Sequence, residues 1–332
     1  MALLSLEAGR PLRILAYVQH GYEFIERHCG ALDGVHLFKV ASIAKLAASI
    51  GDADAIILSA SAYSAEVAQL ACESRRLRWI QCASIGYDPF LAHGVPKGAI
   101  VTNAAGVWNS TVAEHAMTLL LALNRQIPQM ERNRLGRLYD RNEVFGRLRS
   151  VEGQTLLIIG YGSIGMQVAK RASAFGMHII AVTKSGCAVG GIETVGVESL
   201  RNQIPKADAV VLSLPLSSQS RHVFGAPEFA LMRRAAILIN VSRGEIVDQG
   251  ALVRALQSGS IAGAGLDVFD PEPIPTNSSL WDLSNVIITP RVAGYAPPAF
   301  AKLGQLVGEN LRRFRSNECL LNRVLGETLC PC

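Results

Sequence analysis

Gly160, Gly162 and Gly165 stand with GxGxxG spacing between a short apolar run, Leu156 to Ile159, and a helical pattern that runs to Phe175. The chemistry open to such a turn is phosphate binding. Gly160 allows the tight turn, Gly162 lets a pyrophosphate approach the backbone, and Gly165 lets the helix pack close to the strand. Ser163 and Ile164 open that helix, whose free N–H groups and positive dipole end suit phosphates. A second apolar run, His178 to Val182, completes the strand–helix–strand frame, and the whole predicts a dinucleotide site. At the end of that second strand an NAD site carries Asp or Glu for the ribose 2′-OH. This sequence has Thr183, Lys184 and Ser185 there. With no carboxylate to repel a 2′-phosphate, a lysine charge and two hydroxyl donors predict NADP(H). NAD remains the alternative, with Lys184 a solvated loop residue.

Three further stretches follow apolar runs. Asn240-Val241-Ser242-Arg243-Gly244 puts an arginine where a strand ends. Leu266-Asp267-Val268-Phe269, then Pro271-Glu272-Pro273, puts two carboxylates behind another. Thr289-Pro290-Arg291-Val292-Ala293-Gly294 ends the last. In an open α/β sheet, ligands bind at that edge of the strands.

The elements needed to position these residues are legible as an α/β alternation. Strands are expected at Arg13–Val18, Ala53–Leu58, Leu77–Ala83 and Ala99–Thr102, with helical stretches such as Ala65–Cys72 between them. The turn-rich segment Asn103–Ser110 marks a boundary. Ser110 or Thr111, with Glu114 following, predicts a capping box on a long helix over VAEHAMTLLLALNRQI. That helix is apolar on most faces and is expected to lie buried between domains. From Thr155 the dinucleotide domain continues through strands in ADAVVLSL, AAILINV, AGAGLDVF and NVIIT. A helix from about Phe300 to Phe314 returns the chain to the first domain. The expected division is residues 1–104 plus 290–332 as the substrate domain and 105–289 as the dinucleotide-binding domain.

Composition narrows the class. Half the residues are apolar and the net charge is +5, as in an ordinary soluble globular protein. The densest basic stretch, Arg132 to Arg149, is interrupted by Asp140 and Glu143, so a solvated or interface helix is expected and no nucleic-acid partner. Seven cysteines without CxxC spacing predict reduced thiols in a cytoplasmic setting and no metal. Cys330-Pro331-Cys332 reads as a frayed tail, and Leu329 stands where a prenylation signal needs cysteine. No signal peptide or bilayer-spanning run is evident, so no membrane partner is expected.

SIGYD (Ser84–Asp88), NSTVAEHA (Asn109–Ala116), GYGSIG, PLSSQSRHVF, NVSRGEIVDQGALVRAL, GLDVFDPEP and NVIITP run in order over nearly the whole chain. In these motifs the chain resembles the D-2-hydroxyacid dehydrogenase family, NAD(P)-dependent reductases of 2-oxo acids. The resemblance implies two Rossmann-like domains, the larger a doubly wound parallel sheet binding the dinucleotide, the smaller flavodoxin-like and discontinuous. It also implies a homodimer formed through the cofactor domain. Arg243 would clamp the substrate carboxylate and polarise its carbonyl. N–H groups around Ile85 and Gly86 would hold the other carboxylate oxygen. Asp267 would contact the nicotinamide end of the cofactor, while Val241, Ser242 and the loop at Leu214 and Pro215 would line its ribose and phosphates, with Gly294 beside it. Hydride would then pass to the carbonyl carbon of a 2-oxo acid, giving the 2-hydroxy acid.

One departure matters. The family's pattern has Thr-Pro-His where this sequence has Thr289-Pro290-Arg291. That histidine, paired with the acid at the position of Glu272, supplies a proton to the developing alkoxide, and arginine effectively never releases one. Arg291 and Glu272 are expected to form a buried bidentate pair that stabilises negative charge on oxygen. Four readings follow. The enzyme reduces 2-oxo acids slowly, with a proton from water or from His115, Tyr87 or Tyr295. Arg291 binds a second anionic group of a dianionic oxo acid. The substrate is an imine. Or catalysis is lost and a dinucleotide-binding regulator remains. For His115, Trp108 and Tyr295 packing is the default expectation, His115 between domains.

Overall fold

Short apolar runs bounded by turn residues become parallel strands here, because helices cover both faces of each sheet. The computed structural model describes residues 10–30, 32–186 and 191–326. The Cys330–Cys332 tail and the first nine residues lie outside them. The chain divides into two compact units, Met1–Trp108 with Tyr295–Cys332, and Asn109–Gly294.

In the first unit the strands are β1 (Leu12–Tyr17), β2 (Val35–Lys39), β3 (Ala55–Leu58), β4 (Trp79–Cys82) and β5 (Ile100–Thr102). They pair in parallel in the order β2-β1-β3-β4-β5, and Arg323–Leu325 adds an antiparallel strand on β5. This is the flavodoxin-like order. Leu15, Ile56, Leu58, Ile80 and Val101 are core residues with the helix residues Val67 and Ala71. The returning helix Pro297–Arg315 lies against the helix Tyr22–Cys29. Glycine permits that approach: a Cβ at Gly304 would stand 2.3 Å from the Phe24 carbonyl oxygen. The fully buried Asn310 ties the return to the sheet. Its Nδ2 donates to Gln81 Oε1 at 3.0 Å, and Thr102 Oγ1 donates to the same oxygen at 2.9 Å while accepting from Trp79 Nε1 at 2.8 Å. Asn310 Oδ1 accepts from the Leu321 N–H at 2.8 Å. A buried polar network of this kind is stabilising only when complete.

The second unit holds β6 (Thr155–Ile159), β7 (His178–Thr183), β8 (Glu193–Gly196), β9 (Ala209–Leu212), β10 (Ile237–Asn240), β11 (Gly263–Leu266) and β12 (Val286–Ile288). All seven are parallel, in the order β8-β7-β6-β9-β10-β11-β12. The order reverses between β6 and β9, so the topological switch point lies there, where doubly wound sheets take their ligands. The long helix is Asn109–Asn124, and it packs within this unit on the Ser163–Ala174 helix and on β10 and β11. At Gly265 a Cβ would meet Leu119 Cβ at 2.8 Å, which is why β11 carries glycine at that position. The helix begins at Asn109, so Ser110 and Thr111 do not cap it as expected. Ser110 Oγ instead accepts from Arg171 Nη2 at 2.7 Å, and Thr111 Oγ1 donates to the Gly294 carbonyl at 3.0 Å.

Among the described residues no helix is long and apolar enough to cross a membrane. Cys29, Cys72 and Cys82 are free thiols, but Cys319 is disulfide-bonded, against the expectation of wholly reduced cysteines.

Candidate active site

The glycine turn leaves β6 at Gly160, which adopts φ +94° and would clash through a Cβ with Leu214 at 2.8 Å. Side chains are therefore excluded there twice, by backbone conformation and by contact. A Cβ at Gly165 would sit 2.4 Å from the Gly160 carbonyl oxygen, so the helix Ser163–Ala174 can lie this close to β6 only with glycine. Gly162 behaves differently. A Cβ there would meet nothing within 4 Å, and no side chain caps the helix that Gly162 precedes. Open space above an uncapped helix N-terminus, with Ser163 and Ile164 in its first turn, fits a pyrophosphate. Ser213 Oγ donates to the Gly160 carbonyl at 2.6 Å and the Ser213 N–H donates to the Ile159 carbonyl at 2.9 Å. The β9 end, with Leu214 and Pro215 beyond it, is thus fastened to the glycine turn at the switch point. Thr183 closes β7 and its hydroxyl accepts from the Gly186 N–H at 2.9 Å, while Lys184 and Ser185 are exposed beside it.

The other strand ends meet at the same edge. Behind β10, buried Asn240 shapes the turn: its Oδ1 accepts from the Ser242 N–H at 3.1 Å and Ser242 Oγ at 2.8 Å, and its Nδ2 donates to the Arg243 carbonyl at 3.0 Å. Val241 and Ser242 are buried and Arg243 half-buried, its Nη1 donating to the Ser242 carbonyl at 2.8 Å. A Cβ at Gly244 would lie 1.9 Å from the Phe269 carbonyl oxygen, which locks this turn onto the one behind β11.

Asp267, 3% exposed, is the centre of the next turn. Its Oδ1 accepts from Thr289 Oγ1 at 2.7 Å and the Val292 N–H at 2.9 Å, and its Oδ2 from the Ala293 N–H at 3.0 Å. One carboxylate thereby folds residues 289–293 around itself and leaves Arg291 in the left-handed region at φ 56°. Arg291 Nη1 donates to Glu272 Oε2. The pair is not buried and bidentate as expected: one contact joins them, and the side chains are 45% and 28% exposed. Ile85 and Gly86 belong to the first unit, whereas every other expected site residue belongs to the second. The Ile85 carbonyl accepts from Asn103 Nδ2 at 2.7 Å, and no acceptor among the described residues takes the N–H of Ile85 or Gly86.

Residues 117–293 match the NAD-binding domain of the D-isomer specific 2-hydroxyacid dehydrogenases. The chain belongs to that family. A glyoxylate reductase of Korarchaeum cryptofilum is 36% identical over 290 residues, 84% of this chain and 85% of that protein. A D-isomer specific 2-hydroxyacid dehydrogenase family protein of Aeromonas salmonicida has a crystal structure that superposes with TM-score 0.84 at 28% identity, over 95% of this chain and 99% of that one. An acyclic imino acid reductase, solved with NADPH and D-Arg, superposes with TM-score 0.80 at 25% identity, over 95% of this chain and 100% of that one. As a 2-hydroxyacid dehydrogenase family member the protein is an oxidoreductase with a Rossmann-type NAD(P)-binding unit.

Within this dehydrogenase fold, sequence reasoning missed two residues. Thr289 was read only as part of a motif, yet it bridges Asp267 to His115, whose Nε2 lies 3.0 Å from Thr289 Oγ1 and 3.6 Å from Asp267 Oδ1. His115 is accordingly a partner of the Asp267 turn. Ser213, the fastener of the glycine turn, carried one usable signal: it directly follows β9, the strand across the switch point. Trp108 packs as expected, 7% exposed, its Nε1 donating to the Ala83 carbonyl at 3.0 Å and its ring set edge-on to Phe300.

Proposed function

We propose that this protein reduces 2-oxo acids to 2-hydroxy acids with NADPH, unit Asn109–Gly294 holding the dinucleotide. The observation that carries this is half-buried Arg243 on the same sheet edge as the open glycine turn. Lys184, with no carboxylate beside it in Thr183-Lys184-Ser185, supports NADPH over NADH. When bound, the nicotinamide supplies the hydride. Arg243 holds the substrate carboxylate and draws charge from its carbonyl. Asp267, its oxygens held by three donors, keeps the 289–293 turn and the cofactor's amide end in register. The balance is one oxo acid, one NADPH and one proton in, one hydroxy acid and NADP out. Arg291 does not supply that proton. It stabilises charge on the developing alkoxide, and water protonates it.

The test is NADPH oxidation followed at its nicotinamide absorbance with glyoxylate and hydroxypyruvate. Turnover with either supports the reading, and tight NADPH binding without turnover makes the protein a regulator. A second reading has an observation of its own. The structural likeness to an imino acid reductase, with Arg291 at the proton donor's position, favours an iminium substrate that brings its own proton. Pyruvate reduced only in the presence of methylamine supports it.

The homodimer reading is supported by exposed Ile127, Met130, Leu135, Leu138, Tyr139 and Phe145, apolar side chains gathered in one stretch of the dinucleotide unit. A second copy covers that stretch, and light scattering at twice the chain mass tests it. The free thiols of Cys29, Cys72 and Cys82 support a cytoplasmic setting, and the disulfide at Cys319 counts against it.

A further inference from the structure

The sheet of the dinucleotide unit has a second edge, where its strands begin. There a cavity of about 280 Å³ opens beside Ile237 at the start of β10 and Gly263 at the start of β11. Those strands are four residues long, so the cavity lies roughly 13 Å from the turns of Arg243 and Asp267. Arg132, Arg147 and Arg149 line it, and no Asp or Glu does. This is the basic stretch that the dehydrogenase reading leaves without a role.

Two of the three guanidinium groups are held without being neutralised. Arg132 Nε and Nη2 donate to Gln129 Oε1 at 3.2 and 2.7 Å, and Nη2 also to the Ser284 carbonyl at 3.2 Å. Arg149 Nη1 donates to the Ala235 carbonyl at 2.5 Å. All three partners are neutral oxygens, which fix the two side chains and leave their charge in place. No side chain among the described residues pairs with the Arg147 guanidinium. Three cations around one hollow repel each other until an anion arrives, and planar forks of this kind match phosphate oxygens. Gly146 lines the same hollow, and a Cβ there would meet nothing within 4 Å, so a ligand can come against the backbone.

The cavity also faces away from Ile127 and Met130 of the neighbouring apolar stretch. At about 100° per residue, the Gln129 and Arg132 pair is centred roughly 160° from the Ile127 and Met130 pair on the helix Ile127–Leu135. A second copy seated on the Ile127 and Met130 side leaves the arginine side to another occupant.

We infer that this cavity is a binding site for a small polyvalent phosphate-bearing ligand, separate from the dinucleotide turn. The inference does not depend on which oxo acid or imine is reduced. The probe is inorganic pyrophosphate, titrated calorimetrically at low ionic strength into the full chain with NADPH present to fill the glycine turn. The variants are Arg147→Ala and Gly146→Asp. Gly146 has an ordinary φ of −74°, so aspartate is accommodated there and adds a carboxylate to the hollow. Wild type should bind pyrophosphate, and each variant at least about tenfold more weakly, with NADPH oxidation in the absence of pyrophosphate unchanged. Binding that is equal in wild type and both variants overturns the inference. So does the absence of binding at millimolar pyrophosphate. Citrate binding in place of pyrophosphate overturns the assignment to phosphate.

Discussion

Replacing Arg291 by histidine should speed the reduction of simple 2-oxo acids. The backbone is already arranged for it: Arg291 sits at φ 56°, a conformation uncommon for non-glycine residues and several-fold more often taken by histidine. The acid partner is in place too, since Glu272 Oε2 already accepts from the residue at 291. What the substitution adds is a proton that can leave. General acid catalysis contributes about 10²–10⁴-fold, or about 2.7 to 5.4 kcal/mol of barrier. Glu272 is 28% exposed and the present side chain at 291 is 45% exposed, so water already reaches the alkoxide and the expected gain is at the lower end, about 10²-fold in kcat. The assay is steady-state NADPH oxidation with glyoxylate from pH 5 to 9. In the variant, the rate should fall as pH rises through the imidazole pKa, ordinarily about 6.5 and raised by Glu272, because only the protonated ring donates. The native enzyme should lack that limb. A folded Arg291→His enzyme with unchanged NADPH affinity and equal or lower kcat would refute the argument and give Arg291 a substrate-binding role of its own.

Lys184→Ala should weaken NADPH binding by roughly tenfold and leave NADH nearly unaffected, as read by fluorescence titration; equal losses would contradict the 2′-phosphate assignment. Gly165→Ala brings a Cβ within 2.4 Å of the Gly160 carbonyl oxygen, so urea denaturation should show a loss of about 1–3 kcal/mol together with weaker NADPH binding. Stability and affinity both at the native level would show that helix and turn separate easily. Burial pushes the Cys29 thiol up to about 12, whereas Cys72 is exposed. Iodoacetamide at pH 8 should therefore label Cys72 and spare Cys29, and mass spectrometry finding Cys29 labelled as fast would contradict that burial.

The turn at Gly160–Gly165 was legible because each glycine answers to a different local demand, and the contacts at Leu214 and Gly160 are those demands realised. Strands β6, β7, β9, β10 and β11 were legible for a similar reason, as near-continuous apolar runs. β8 and Arg323–Leu325 were not: they are short edge strands, largely half-buried, whose pairing is decided by the strand beside them. Ser110 and Thr111 misled because a capping box is a local pattern, while their hydroxyls are engaged by Arg171 and Gly294 from far along the chain. At the site, Arg243, Asp267, Glu272 and Arg291 could be picked out by type and strand-end position. That Asp267 spends its oxygens folding the 289–293 turn could not, since those contacts span more than twenty residues.

The buried amide of Asn310 has a consequence for how the protein is made. Chains leave the ribosome N-terminal end first and fold domain by domain as they emerge. Asn109–Gly294 is unbroken, so it can close its seven strands once Gly294 is out. Gln81, by contrast, waits for a partner synthesised 229 positions later. The half of the molecule translated first is the half completed last.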